Sequence, residues 1–509
     1  MSEASDQANR WPITISIMLA TVMNSLDTTI ANVALPHIMG SVSASPEQIT
    51  WVLTSYIVSA AIMTPMSGWL SDKIGRKNLF LISIAGFTIA SMLCGVADSL
   101  GEIVGFRLLQ GLFGAALIPL SQAVLLDINP PEKHGQAMAI WGAGAILGPI
   151  LGPALGGYLT ENFSWRWVFF INLPVGLLAL AGVWVFISGD RTAKAKPFDF
   201  LGFGCIAIFI ASIQLMLDRG PSLDWFDSLE IWIELIIAVI AFWVFIIHSA
   251  TAKNPFFDLS LIRDRNFVTA SIFGFFVGVL LFSTMALLPP MMQGLMGYPV
   301  LTSGLVSMPR GLGSLVAMFL VGQLIGRVDT RLILFTGLSL SAWALWDMMH
   351  FDLSMTSTPF MVSGIIQGLG IGLLFVPLST LAFATIPARL RGEGSSLYTL
   401  IRNLGSAVGI SIMQALVVQN TQVMQASLAG NVNASDPVVA AGLSGRYDLS
   451  SIAGLESLNA ALTRQASMVA YIDDFKLMLI ITLLCMPMLL LMRTPKAFQP
   501  LDPAHAAPE

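Results

Sequence analysis

The chain has 509 residues, 55% of them apolar and only 11% charged, with a mean hydropathy of +0.77; a soluble globular protein carries about 25% charge, so a water-soluble enzyme is excluded. The 25 Lys and Arg and 30 Asp and Glu bunch in short stretches between apolar runs of about 18 to 26 residues, which is the composition of a polytopic membrane protein. The net charge of −5 says little about partners, because in such a protein the placement of charge outweighs its sum, and nothing implicates nucleic acid.

Met1 to Arg10 is polar with one basic residue. The first apolar run keeps an Asp inside it and has no small-residue cleavage site after it, so it reads as a retained helix rather than a signal peptide. Fourteen candidate spans follow, each near the roughly 20 residues that cross about 30 Å of hydrocarbon at about 1.5 Å per residue. Six lie at about 12–35, 49–70, 79–97, 102–126, 135–159 and 167–187. Two more lie at about 200–217 and 230–250, and six at about 267–290, 301–325, 331–350, 359–385, 394–419 and 474–492.

Cytoplasmic loops should hold most of the Lys and Arg. With the N-terminus inside, the inner segments collect 17 of the 25, from Arg10 through Lys73, Arg76, Lys77 and Lys133 to Arg493 and Lys496. Arg107, Arg310 and Arg402 lie inside spans. Both termini are therefore expected on the cytoplasmic side. The 26-residue stretch QGLFGAALIPLSQAVLLDINPPEKHG from Gln110 resembles QGLGIGLLFVPLSTLAFATIPARLRG from Gln367, at an offset of 257 residues and with one inserted residue before Pro377. GWLSDKIGRK and GQLIGRVDTR form a weaker pair at nearly the same offset. Related halves are a common plan in transporters.

The expected architecture is an all-α integral membrane protein: a tail at 1–11, a six-helix bundle at 12–190, an inserted helix pair at 200–250, a second six-helix bundle at 267–492 and a tail at 493–509. The longest polar segment, 420–473, falls outside between spans 13 and 14 and reads as a partly helical loop, with a docking surface as the alternative. Cys94, Cys205 and Cys485 sit in apolar runs without a CxxC pair, and the five histidines form no HExxH or ligand cluster. No metal site and no catalytic site is expected.

Within GWLSDKIGRK, Gly68 lets span 2 approach a neighbour, Asp72 can accept hydrogen bonds at a helix N-terminus, Gly75 precedes the basic pair, and Arg76 and Lys77 hold the loop inside. Span 5 carries Gly144, Gly148, Gly152 and Gly156 at four-residue spacing, with Gly157 adjacent. That column puts missing side chains on one face, while Pro149 and Pro153 favour a bend. An ionisable side chain in a span costs at least about 2.5 kcal/mol, so Asp27, Arg107, Arg310 and Arg402 are functional candidates. Asp27 lies about 12 Å below the outer end of span 1 and Arg107 about 8 Å below that of span 4, so they share a level. Burial and a neighbouring guanidinium act in opposite directions on a carboxyl's hold on its proton, so relative movement of such a pair can switch proton binding. A structural cap and tie between the two is the alternative. Arg310, which follows Pro309 in mid-span, and Arg402 have no evident partner. Asp347, near the outer end of span 11, is within reach of Arg310 only if the helices pack suitably.

These motifs carry a resemblance. GWLSDKIGRK resembles the gating loop of the major facilitator superfamily, and GAILGPILGPALGG resembles the helix 5 signature of its antiporters. LDTTIANVALP is similar to the first-helix motif of the 14-helix drug:proton antiporters, and LDRGPSLDWF and NPFFDLSLIRDRNF to connecting segments of EmrB-type multidrug exporters. The resemblance implies the major facilitator fold with two extra central helices, a loop that stabilises one access state, a helix 5 seal between the halves, and Asp27 and Arg107 facing a central cavity. It further implies proton-driven export of lipophilic or amphipathic drugs across a bacterial inner membrane. No cofactor is expected, and no GxxxxGK[ST] nucleotide loop is present. A periplasmic EmrA-type adaptor and a TolC-type outer-membrane channel are the implied partners. Export of one dedicated metabolite, siderophore or lipid, and a non-transporting sensor or assembly subunit, remain alternatives.

Overall fold

Inside hydrocarbon a chain has no water to satisfy its backbone, so each apolar run must close its hydrogen bonds within itself as helix. The computed structural model describes residues 3–44, 46–49, 51–130, 133–187, 197–325, 327–387, 390–432 and 451–492, and no strand occurs among them beyond an isolated bridge between Ile325 and Val328. The tail placed at 493–509 and the centre of the 420–473 segment lie outside the described residues.

The principal helices of the first half are α1 (Glu3–Ser41), α2 (Trp51–Met63), α3 (Met66–Ile74), α4 (Arg76–Val96), α5 (Leu100–Gly114), α6 (Leu117–Ile128), α7 (His134–Asn162) and α8 (Asn172–Phe186). The central pair is α9 (Phe200–Arg219) and α10 (Leu229–Thr251). The second half contains α11 (Arg265–Pro290), α12 (Val300–Leu324), α13 (Thr330–Met348), α14 (Ser357–Ala384), α15 (Arg391–Asn431) and α16 (Ile452–Cys485). Among the described residues, eleven helical segments are long and apolar enough to cross a membrane. The expected spans 2, 11 and 14 fall on helices that do not reach that standard, because span 2 is broken and the other two carry charged or polar ends. The chain is an all-α, multi-pass membrane protein.

Prolines account for the breaks. A proline ring excludes the carbonyl four residues back and lacks its own N–H. Pro119 thus separates α5 from α6 at Ala115–Ala116, and Pro174 follows the break between the turn Trp167–Phe170 and α8. Span 2 breaks at Thr64–Pro65, where the Thr64 hydroxyl donates to Ala115 O at 3.5 Å, so two breaks support each other. Pro149 and Pro153, by contrast, sit inside an unbroken α7.

Two expected polar segments are helical in their described residues. The polar tail at 1–11 is helical from Glu3 and continuous with α1, since Pro12 removes one hydrogen bond rather than a helix. The 420–473 segment, read as a partly helical loop, consists in its described parts of the far ends of α15 and α16, tied by Gln425 Nε2 donating to Asn459 Oδ1 at 2.8 Å. At about 1.5 Å per residue the 41 residues of α15 span about 60 Å, twice the hydrocarbon thickness.

Packing groups the helices. One apolar core joins Ile17, Met23, Phe80, Phe87 and Leu117 of the first half, and another joins Leu287, Met291, Leu345 and Phe475 of the second. A third core crosses between halves, from Leu125 and Trp141 to Met318, Phe375 and Phe383. The central helix α9 lies against both halves: Thr54 of α2 donates to Asp218, and Ser411 of α15 donates to Leu217 O. Its partner α10 exposes Trp232, Ile236 and Trp243, the surface expected to face lipid.

Candidate functional site

Asp27 on α1 and Arg107 on α5 touch. The Arg107 Nη1 donates to Asp27 Oδ2 at 2.6 Å, and the side chains are 0% and 1% exposed. Three helices complete the site. Gln110, one turn after Arg107, accepts from Arg107 Nη1 at 2.7 Å and donates to Asp27 Oδ1 at 2.8 Å. Asn172, at the start of α8, donates to the same oxygen at 2.9 Å and to Ser91 Oγ of α4 at 2.9 Å. The break before Pro174 is what turns Asn172 inward. Arg107 Nε donates to Val52 O at 3.1 Å, and the guanidinium lies 4.3 Å from the centre of the Tyr56 ring. The Tyr56 hydroxyl accepts from Asn24 at 3.1 Å. Among the described residues, both Asp27 oxygens thus accept only from N–H donors, the arrangement that suits an ionised carboxylate.

Sequence reasoning paired Asp27 with Arg107 by depth but missed Gln110, Asn172 and Tyr56. A signal for Gln110 existed, because it opens the first copy of the internal repeat. The second copy keeps the contact without the charge. Gln367 Nε2 donates to Thr284 Oγ1 at 3.1 Å, and Thr284 stands one repeat offset after Asp27. At the offset of Arg107 stands Gly364, with the Arg310 Cβ close over it.

Arg310 does not reach Asp347. Its Nη2 donates to Leu281 O of α11 at 3.0 Å, while Asp347 Oδ2 accepts from Ser363 at 2.8 Å, because α14 packs between them. Arg402 is 6% exposed and lies 5.3 Å from the Phe375 ring centre. Asp474 on α16 is a further buried carboxyl, 1% exposed, at a position taken from sequence as the edge of span 14.

The loop motif builds a junction at the end of the molecule where the basic loops gather, here the inner end. Gly75 has φ +85°, a conformation that favours glycine. It starts α4 so that Arg76 pairs with Asp127 at the end of α6. The other Asp127 oxygen pairs with Arg391 of α15 at 2.9 Å, so one carboxylate links the two halves. Beside it Ser67 bonds Ser396 at 2.7 Å, and Ser395 donates to Gln122 at 2.7 Å. A Cβ on Gly68 would stand 3.1 Å from the Glu393 Cα, so the neighbour that Gly68 admits is α15. Lys77 Nζ donates to Trp184 O at 2.7 Å, within the first half, and Asp72 lies exposed on the last turn of α3, one turn after Gly68. Asp127 and Arg391 were not among the expected residues; an acid at the inner end of a span, amid basic loops, was their only signal.

The glycine column of α7 faces α1 of its own half, while Pro153 of the same motif meets the other half. Cβ atoms at Gly148 and Gly152 would fall 2.3 Å from Ser25 C and 2.1 Å from Thr29 Oγ1, and those at Gly144 and Gly156 would meet Met18 and Ile30. Gly157 is buried nearby. A different face of α7 meets α12: Ile150 lies against Gly311, Pro153 against Gly304, and Met318 against Gly142. A four-residue spacing defines a face but not what it faces.

Among the described residues no group of three or more His, Cys, Asp or Glu could hold a metal. Comparison with known proteins completes the picture. Residues 17–410 match the Major Facilitator Superfamily. The chain is 37% identical over 427 residues to the multidrug export protein EmrB of Escherichia coli K12, covering 84% of this chain and 83% of that one. It is 36% identical over 408 residues to the fatty acid resistance protein FarB of Neisseria gonorrhoeae, covering 79% and 80%. Among solved structures, the fold is shared with the proton:xylose symporter XylE at TM-score 0.61 and 13% identity, covering 93% of this chain and 95% of that one.

Proposed function

The chain belongs to the major facilitator superfamily, and from that premise we propose that it is a proton-coupled antiporter exporting lipophilic or amphipathic compounds by alternating access. The observation that carries the reading is the sealed Asp27–Arg107 pair with its amide partners, a charge placed where it costs most. The likeness to EmrB supports the class of cargo. In this reading the pair is closed while Asp27 is ionised. A proton on Asp27 removes the charge that holds Arg107, and the helices α1, α5 and α8 are free to shift. Residues 12–190 and 267–492 would be the moving bodies, with 200–250 wedged between them. The test is substrate efflux from proteoliposomes under an imposed pH gradient, with proton movement followed in the same vesicles. Efflux indifferent to the gradient would end the reading.

The Arg76–Asp127–Arg391 junction is the inner gate in this scheme, joined by Gly68 and Asp72. Asp127→Asn should raise the reactivity, from the inner side, of a single cysteine placed by Ser395→Cys in a chain lacking its three native cysteines. Asp72→Asn should shift access in the same assay by a smaller amount. Unchanged labelling in both variants would leave the junction a purely structural contact.

The inner membrane of a bacterium is the proposed location, with a periplasmic EmrA-type adaptor and a TolC-type channel as partners. The support is the EmrB likeness together with the excess length of α15 and α16, whose far ends expose Val418, Val423, Ile452 and Leu455. Shortening the two helices beyond Val423 and before Ser457 should spare transport in isolated vesicles and weaken whole-cell resistance. Undiminished resistance and adaptor cross-linking would reduce the hairpin to a connector.

A further inference from the structure

Asp474 lies in the other half from the Asp27 network, and its surroundings are of the opposite kind. The side chain is 1% exposed, and neither carboxyl oxygen has a hydrogen-bond partner among the described residues. It sits on the buried stripe of α16, where its neighbours Tyr471, Phe475 and Met478 belong to the apolar core shared with Leu287, Met291 and Met348. Met478, one turn inward, meets the Thr284 hydroxyl of α11 at 3.8 Å. Phe475 holds the helix to Phe351, just beyond α13, with ring centres 6.2 Å apart.

The elements packed against this stretch bring it little charge. The facing parts of α11, from Gly278 to Pro290, and of α15, from Ser411 to Asn431, contain no ionisable residue, and neither does the turn Met291–Leu295. From α13 come Asp347, bonded to Ser363, and His350, whose Nδ1 lies 2.8 Å from Trp346 O; Asp352 in the next turn accepts from Ser354. On α16 itself Tyr471 is buried, Asp473 is half-buried and Lys476 is exposed. Seventeen residues separate Asp474 from Leu491 at the inner end, about 26 Å, so the carboxyl lies near the outer edge of a hydrocarbon layer about 30 Å thick.

A carboxylate in this position would have neither water nor a donor, whereas the neutral acid costs far less to bury. We infer that Asp474 is a pH-sensitive latch for the outer hairpin: α16 is clasped to α11 and α13 while the carboxyl is neutral, and loosens from Asp474 outward when it ionises. Packing is thus strongest at low outer pH and weakens as pH rises, since the loosened state alone gives up the proton at little cost. The two buried carboxyls answer to protons in opposite ways. Asp27, ringed by N–H donors, is built to be ionised, and Asp474, among apolar side chains, to be neutral.

The test is hydrogen–deuterium exchange of the purified full-length protein at about pH 5.5 and about pH 8.5, corrected for the intrinsic exchange rate. Protection of the amides of 466–478 should fall by about tenfold or more at the higher pH. Asp474→Asn, a neutral isostere, should be protected alike at both, and Asp473→Asn should respond as wild type does. Equal protection of wild type at the two pH values overturns the proposal, as does a response that survives in Asp474→Asn or vanishes in Asp473→Asn. Should Asp474→Asn fail to fold or lose protection at both pH values, Asp474→Leu decides, because it leaves no polar group to bury. It should be protected alike at both pH values, and a wild-type response in it overturns the latch.

Discussion

Asp27→Asn is expected to abolish efflux driven by a pH gradient, down to the level of empty liposomes, while the protein remains inserted and binds its substrate. The change removes the carboxyl at the centre of the buried network at almost no cost in volume. Arg107 Nη1 would keep an amide oxygen to donate to, in place of Asp27 Oδ2. The new amide nitrogen would face two former donors: Asn172, whose own Oδ1 is buried without a partner among the described residues, can turn to accept, and Gln110 loses one bond. Folding therefore survives where proton carriage does not. Exchange of substrate across the membrane without a gradient should persist, which separates a coupling defect from a collapse. If the variant extrudes substrate and moves protons at the wild-type rate, the pair is a structural tie and the proton path lies elsewhere.

Arg107→Ala should do more damage to the fold. It leaves the Asp27 carboxylate 0% exposed with only Gln110 and Asn172 as donors, and it empties the space against Tyr56. Removing one partner of a buried ion pair costs about 3–5 kcal/mol, because the other charge is left uncompensated. The double variant Asp27→Asn, Arg107→Ala should regain part of that loss, since it buries no charge, yet stay inactive. Thermal unfolding of the single and double variants in one detergent checks the sign. A double variant less stable than Arg107→Ala would mean that packing by the guanidinium, and not its charge, carries the stability. Arg107→Lys keeps the charge without the fork and should be partly active, because one ammonium nitrogen replaces the separately placed Nε and Nη1 that reach Val52 O and Gln110.

Helices were legible where the bilayer leaves no choice. A run of some twenty apolar residues cannot satisfy its backbone except as helix, so segments such as Arg76–Val96 and Leu229–Thr251 lie close to where hydropathy alone puts them. The prolines were equally visible, but their consequences were not. Pro119 and Pro174 sit near breaks while Pro149 and Pro153 sit in an unbroken helix, because the neighbours that satisfy freed backbone groups come from other helices.

The sequence by itself determined the class of the protein, the positions of its helices and the depth of its buried charges, all of which follow from how each residue interacts with hydrocarbon or water. Depth was enough to pair Asp27 with Arg107, since two charges at one level in a bilayer have few other partners. Only the tertiary structure decided direction. It turned the glycine column toward α1 rather than across the halves, kept Arg310 from Asp347, joined Asp127 to Arg391 across 264 residues, and left Arg402 among aromatic rings with its donors unspent. The physical reason is that partition between lipid and water acts on each segment alone, whereas the azimuth of a helix is set by what the other helices offer it. That information is distributed over the whole chain and repeats at no fixed spacing.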